Sequence, residues 1–230
     1  MSRPDLAFQH LMFSTKAGHA SVEDGRKLAR VLNKLSETQY EIRFQNLGNI
    51  EDLKLVAFED ASPAQKDNLN TTIGSIQFLM NEEGRMNVIE WKSKRLDIPC
   101  SSPLAAEGEA ALDTYGRIKF TRELIKEMIK VKEFPAELIT DSISLKHAVE
   151  SDNAVKDKRT GVAVCTLRKC KEFENIGVSW VDGKNQLADV FTKPNVNTLP
   201  LIEVLQGGRF SFPEEPTKEK RKRKTKKKKN

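Results

Sequence analysis

Four carboxylates in this chain stand where they could converge: Asp60, Glu107, Asp141 and Asp189. Asp60 closes the stretch Leu53-Lys54-Leu55-Val56-Ala57-Phe58-Glu59-Asp60-Ala61-Ser62, which is apolar from Leu53 to Phe58 except at Lys54. That is the pattern of a central strand covered on both faces. Asp60 then sits where the strand emerges, with small Ala61 and Ser62 beside it. Asp141 follows Leu138-Ile139-Thr140 in the same way, and in sheets of this kind ligands gather beyond the carboxyl ends of the strands. Glu107 lies on the helical stripe Leu104, Ala111, Tyr115, Ile118 and Ile125, whereas Glu109 and Asp113 face the other way. A carboxylate on a core-facing stripe is costly unless it is paired or bound to a cation. Asp189 falls in the first turns of a short helical stretch, Gln186-Leu187-Ala188-Asp189-Val190-Phe191. Carboxylate donors without a His or Cys cluster suit hard, oxygen-loving Mg²⁺ or Mn²⁺. Two such ions roughly 4 Å apart can support an in-line displacement on a phosphodiester.

Each acid also has an ordinary explanation. Glu107 could sit at the edge of its stripe and reach water. Asp141 could cap the helix beginning at Ser142. Asp189 could be a favourable charge near a helix N-terminus. The case for a metal site therefore rests on the four together.

The elements that would position them read as follows. Ser21-Val22-Glu23-Asp24 has the form of a capping box. It opens an amphipathic helix over 22–36 with Leu28, Val31, Leu32 and Leu35 on one face. The first 18 residues show no clear period, and Tyr40 to Phe44 alternates as a short strand would. After the strand that carries Asp60 comes a polar loop over 63–70. A hairpin follows, formed by 71–80 and 86–92 around the turn Asn81-Glu82-Glu83-Gly84. A long helix starts after Ser101, Ser102 and Pro103 and runs to about Val131. A strand over 136–140, a helix over 142–150, a helix over 161–174, a strand over 176–181 and a short helix over 185–192 complete the pattern. The 161–174 helix carries Val162, Val164 and Thr166, which favour a strand. The sum is an α/β fold. Its mixed five-stranded sheet has three antiparallel strands followed by two parallel ones, with helices flanking it.

Charge is divided unevenly along the chain. From Thr217 to Asn230 ten Lys and Arg stand against one Glu, so this tail carries +9 while the whole chain carries +6. The remainder is mildly acidic. Cys100, Cys165 and Cys170 have neither paired spacing nor nearby histidines, which argues against a zinc site and for reduced thiols in an intracellular protein. No apolar run approaches membrane-spanning length, so a soluble protein without a membrane partner is expected.

These segments also carry a family resemblance. Phe58-Glu59-Asp60-Ala61-Ser62 resembles the first acidic motif of the ribonuclease H fold. Ser102-Pro103-Leu104-Ala105-Ala106-Glu107 is similar to the helix start Ser-Ser-Thr-Glu-Ala-Glu of copia-type retrotransposon ribonucleases H. Thr140-Asp141-Ser142 resembles that family's third motif, and Gln186-Leu187-Ala188-Asp189-Val190-Phe191-Thr192-Lys193-Pro194 its fourth, the most specific signal in the chain. Trp91-Lys92-Ser93-Lys94 and Lys158-Arg159-Thr160 resemble its Trp-x-Ser-Lys segment and basic loop. Arg3-Pro4-Asp5-Leu6-Ala7-Phe8 is similar to a segment near the end of the copia-type reverse transcriptase. Pro103-Leu104-Ala105, Gly108 and Gly161-Val162-Ala163 depart from the family's pattern, and no histidine lies between Trp180 and Asp189.

The resemblance implies the C-terminal part of a Pol polyprotein. Residues 1–50 would be the end of the reverse transcriptase, 51–205 a ribonuclease H-like domain and 206–230 a disordered basic tail. Asp60 would bridge two Mg²⁺ or Mn²⁺ ions, with Glu107 and Asp141 on one and Asp189 on the other. The substrate would be the RNA strand of an RNA/DNA hybrid, with no small-molecule cofactor. Lys92, Lys94, Arg95, Lys156, Lys158 and Arg159 are candidate phosphate contacts, although for each of them a solvated surface charge is the more ordinary role. No Asp-Asp pair occurs, so polymerisation is not expected. Lys220, Arg221, Lys222, Arg223 and Lys224 read as a nuclear localisation signal, a nonspecific clamp on nucleic acid or a bland tail, which places the protein in nucleus or cytoplasm. Two rival classes remain. One is an inactive or domesticated nucleic-acid-binding relic of the same fold. The other is a scaffold that docks on the reverse transcriptase portion of the element through an apolar face within 1–45.

Overall fold

The computed structural model describes residues 3–63, 71–97, 99–155 and 157–212. Helices α1 (Ala7–Ser14) and α2 (Val22–Glu37) precede strand β1 (Lys54–Ser62) and the hairpin β2 (Thr72–Met80) and β3 (Met86–Arg95). Helix α3 (Pro103–Ile129), β4 (Ala136–Thr140), α4 (Ile143–Glu150), α5 (Lys158–Phe173), β5 (Ile176–Trp180) and α6 (Leu199–Leu205) follow. The sheet order is β3-β2-β1-β4-β5, with β1 antiparallel to β2, β2 antiparallel to β3, and β4 parallel to both β1 and β5.

Strand β1 sits at the centre because its sequence permits nothing else. Leu55, Val56, Ala57 and Phe58 are all fully buried, so both faces must be covered. On one face Leu55 and Ala57 pack with Ala111 and Ile118 of α3, Leu145 of α4 and Leu167 of α5. On the other, Val56 and Phe58 pack with Phe78, Phe191, Leu201 and Leu205. Helix α3 starts where Ser102 caps it, the Ser102 hydroxyl accepting from the Ala105 N–H at 3.1 Å with Pro103 behind it. Ser102→Ala is expected to destabilise the protein by about 1 kcal/mol in urea denaturation.

The capping box before α2 forms as the sequence predicts. The Ser21 N–H donates to Asp24 at 3.1 Å, and the Asp24 N–H donates to the Ser21 hydroxyl at 3.2 Å. Leu28 and Leu32 on its apolar face remain exposed. Helix α5 begins three residues before the expected start at Gly161, because Asp157 caps it from outside, its carboxylate accepting from the Thr160 N–H at 2.8 Å.

Four expectations are corrected or sharpened. Tyr40 to Phe44 is not a strand. Its alternation is used to pack Tyr40 and Ile42 against the core, while Arg43 makes one backbone bond, to the Leu205 carbonyl at 2.8 Å. The patternless first residues contain α1, whose Ala7 and Phe8 are buried. The short helix expected at 185–192 is present as a 3₁₀ turn, Leu187–Phe191. Finally, the stretch expected to open the tail at 206 continues the fold. Phe210 is buried with its ring 5.0 Å from that of Phe58, and its N–H bonds the Gly84 carbonyl. The tail from 213 onward, including Lys220, Arg221, Lys222, Arg223 and Lys224, lies outside the described residues, as do Lys156 and most of the 63–70 loop. Among the described residues no helix is long and apolar enough to cross a membrane.

Candidate metal centre

Asp60 emerges near the end of β1 and is almost completely buried. Register decides what surrounds it. Phe58 of β1 is level with Ile139 of β4, so Asp141, two residues past Ile139, comes out level with Asp60. On the other side Asp60 faces Gly74 of β2, and the missing side chain there has a purpose. A Cβ at position 74 would lie 2.5 Å from Phe191 Cβ and 2.8 Å from Thr192 Cγ2. Gly74 therefore lets the 3₁₀ turn lie directly on the hairpin, which delivers Asp189 to Asp60. Gly74→Ala is expected to cost roughly 1–3 kcal/mol, read as a lower urea midpoint.

Two side chains pin that turn. The Gln186 amide donates to the Glu59 carbonyl at 2.8 Å and its oxygen accepts from the Ala188 N–H at 3.1 Å. The Ser93 hydroxyl donates to the Phe191 carbonyl at 2.6 Å, which gives the Trp-x-Ser-Lys segment a structural role. Elsewhere in the site, Trp180 at the end of β5 donates from its indole to the Asp141 carbonyl at 2.9 Å, tying the residue after β4 to β5.

The result is a knot of acids. One carboxylate oxygen from each of Asp60, Asp141 and Asp189 lies within 4.8 Å of the others. Glu107 approaches from the first turns of α3 with its Oε2 buried and lacking a hydrogen-bond partner. Burial, then the charges of Asp60 and Asp141, push the Glu107 carboxyl up to about 9. Burial and Asp60 push Asp141 up to about 6, and burial and Asp60 also raise Asp189. The three aspartates are thus brought together, and Glu107, outside that 4.8 Å group, is near enough to feel the charge of all three. Asp113 and Glu109, assigned to the opposite side of α3, are paired elsewhere, with Lys92 and Arg117 and with Arg159.

Sequence reasoning missed three participants. Glu59 points to the α3 side of β1 and is fully buried; burial, then the Glu107 charge, hold its carboxyl well above the ordinary range. The Thr192 hydroxyl hydrogen-bonds one Asp60 oxygen, Oδ2. The Lys193 ammonium donates to Asp60 Oδ1 at 3.1 Å and to Asp189 Oδ1 at 2.6 Å. Burial works against the Lys193 charge, but Asp60 and Asp189 outweigh it and raise its pKa. Thr192 and Lys193 lay inside the fourth motif, where only the acid drew notice. A glutamate in a strand covered on both faces was the readable sign of Glu59.

The candidate phosphate contacts are less concentrated. Lys92 and Lys94 pair with Asp113 at 3.2 and 3.7 Å, and Arg159 pairs with Glu109 at 2.8 Å. Arg95 rests against the Met12 sulfur at 3.5 Å, and Lys158 lies exposed at the start of α5.

The donor set fits a divalent cation. It is all carboxylate, it gathers more negative charge than its one internal cation neutralises, and it holds a buried unpartnered oxygen on Glu107.

The sheet order, the strand directions and the acids at the ends of β1 and β4 define a ribonuclease H-like fold. No protein-family model matches the chain. The chain is similar to the Transposon Ty1-NL2 and Ty1-DR6 Gag-Pol polyproteins of Saccharomyces cerevisiae, each 32% identical over 145 residues that make up 62% of the chain and 8% of the polyprotein. The chain thus spans under a tenth of the length of these curated relatives, and the similarity fits the C-terminal region of a copia-type Pol polyprotein. Among solved structures it is similar to LC11-RNase H1 in complex with RNA/DNA hybrid, with 17% identity, a TM-score of 0.46, and coverage of 60% of this chain and 94% of that one.

Proposed function

We propose that this chain is a ribonuclease H that hydrolyses the RNA strand of RNA/DNA hybrids with the help of Mg²⁺ or Mn²⁺. The observation that carries the reading is the meeting of Asp60, Asp141 and Asp189 within 4.8 Å, under Glu107. Asp60, Glu107, Asp141 and Asp189 would hold the ions. When bound, such ions help to orient the attacking water and neutralise charge on the leaving oxygen of a phosphodiester.

The chain's own residues do the rest. Thr192 fixes one oxygen of Asp60, while Gln186 and Ser93 hold the turn that presents Asp189. Lys92, Lys94, Arg95, Lys158 and Arg159 would receive phosphates, the ion-paired ones exchanging Asp113 and Glu109 for them. Water adds at phosphorus and the bond to the 3′-oxygen breaks, leaving 3′-hydroxyl and 5′-phosphate ends. RNA is told from DNA by its 2′-hydroxyls.

In this reading residues 1–50 are the end of a reverse transcriptase, 51–212 the nuclease domain and the residues beyond 212 a basic tail that directs the protein to the nucleus. The reverse transcriptase portion of the same element is its protein partner, and the exposed Leu28 and Leu32 of α2 are where that partner would rest. One observation favours the rival, an inactive nucleic-acid-binding relic: Lys193 already neutralises two of the acids.

Cleavage of a hybrid labelled on either strand, with Mg²⁺, with Mn²⁺ and with EDTA, separates the two. Metal-dependent cutting of the RNA strand alone supports the nuclease. Salt-sensitive binding without cutting in any metal supports the relic.

A further inference from the structure

The position of Lys193 goes beyond that reading while resting on it. The residue follows the 3₁₀ turn, and its backbone N–H bonds the Asp189 carbonyl at 3.1 Å, as a continuing helical turn would. From there the side chain folds back over the acids. Its ammonium lies 3.1 Å from Asp60 Oδ1 and 2.6 Å from Asp189 Oδ1, so one cation bridges two of the three clustered aspartates. The other Asp60 oxygen is taken by the Thr192 hydroxyl. Both oxygens of Asp60, the most buried of the three aspartates, are therefore occupied by two consecutive residues of one segment.

This arrangement and a divalent ion exclude each other. Mg²⁺ takes carboxylate oxygens at about 2.0–2.1 Å and demands near-ideal geometry. An ammonium at hydrogen-bond distance from Asp60 Oδ1 and Asp189 Oδ1 stands in that space and carries like charge. It is also positioned to leave. The Lys193 side chain is 36% exposed, against 1% for Asp60, so the ammonium can withdraw into solvent without opening the core.

We propose that Lys193 is a resident counter-ion of the metal centre, holding Asp60 and Asp189 together in the metal-free protein and giving way to the divalent ion on loading. The site's affinity for metal is then set partly by the energy of dislodging a lysine. A lysine that merely braces the turn predicts the opposite, since its removal would let Asp189 drift and weaken metal binding.

Mn²⁺ binding to the full chain, followed by the electron paramagnetic resonance of free Mn²⁺, tests this in wild type, Lys193→Met, Lys193→Arg and Asp60→Asn. A resident counter-ion predicts at least tenfold tighter Mn²⁺ binding in Lys193→Met, near wild-type binding in Lys193→Arg, and loss in Asp60→Asn. Thermal melting adds a second readout: metal-free Lys193→Met should melt below wild type and regain the difference on adding Mn²⁺. If wild type binds and Asp60→Asn does not, but Lys193→Met binds equally or more weakly, the exchange is refuted and the metal centre stands. If neither wild type nor Lys193→Met binds Mn²⁺, the metal centre itself falls, and the exchange with it.

Discussion

Asp60→Asn is expected to leave a folded protein that still binds RNA/DNA hybrid and cuts it at least about a hundredfold more slowly. That is already the scale on which losing an outer partner of a metal ligand acts, and Asp60 is proposed as a ligand itself. The substitution keeps the shape of the side chain in a position that is 1% exposed, and an amide oxygen can still accept from Thr192. What disappears is the negative charge shared by every other member of the cluster. Asp60 is the first charge acting on Glu107, Asp141 and Asp189, and it is one of the two partners of Lys193. Initial rates on a labelled hybrid, with circular dichroism to show the fold, check the expectation. Asp113→Asn serves as the matched control. Asp113 lies on the same helix as Glu107 but pairs with Lys92, Lys94 and Arg117, so its removal should leave cutting within a few fold. Equal rates in Asp60→Asn and wild type would remove Asp60 from the chemistry.

The parts of this site that could be read from sequence share one property: a periodic pattern around them. Continuous burial of Leu55 to Phe58 required β1 to be central, and a central strand fixed where Asp60 emerges. Glu107 was visible because a carboxylate interrupted the stripe that packs Ala111, Tyr115 and Ile118 against the sheet. The parts that could not be read depend on register and close approach instead. Gly74 in the middle of a strand looks like a weakness until Phe191 and Thr192 are seen lying on it. Tyr40 and Ile42 alternate like a strand but pack as irregular chain, because a two-residue period reports only which side chains are buried. Lys193 stood inside the fourth motif, but no periodicity marked it as a partner of the acids. Its role follows from a 3₁₀ turn that brings the segment after Asp189 back over β1, a geometry set by the bonds from Ser93 to Phe191 and from Gln186 to Glu59, each between residues distant in sequence.

In EDTA the protein should lose stability as pH rises from about 5 to 9, and Mg²⁺ should flatten that loss. The crowded acids set the direction. Folding raises Asp141 from the ordinary 3.8 to about 6 and Glu107 from 4.5 to about 9, and it raises Glu59 and Asp189 as well. A carboxyl whose pKa is raised by folding holds its proton more tightly in the native state. Its contribution is therefore fully present below the unfolded value and is lost as pH climbs through the folded one. Asp141 gives way first, toward pH 6, and Glu107 later, toward pH 9. The total is on the order of a few kcal/mol, enough to move a melting temperature by several degrees. Other groups do not hide the trend. Asp24, Asp157 and Glu174 are lowered by hydrogen bonds and have titrated below this window, while Tyr40 and Tyr115 are raised above it. Divalent metal reverses the pull, since its ligands must be deprotonated and its binding strengthens with pH. Melting curves at intervals across the window, with EDTA and with Mg²⁺, give the comparison directly. A metal-free melting temperature that stays level or rises between pH 5 and 9 would mean that these carboxylates are not crowded together as the structure places them.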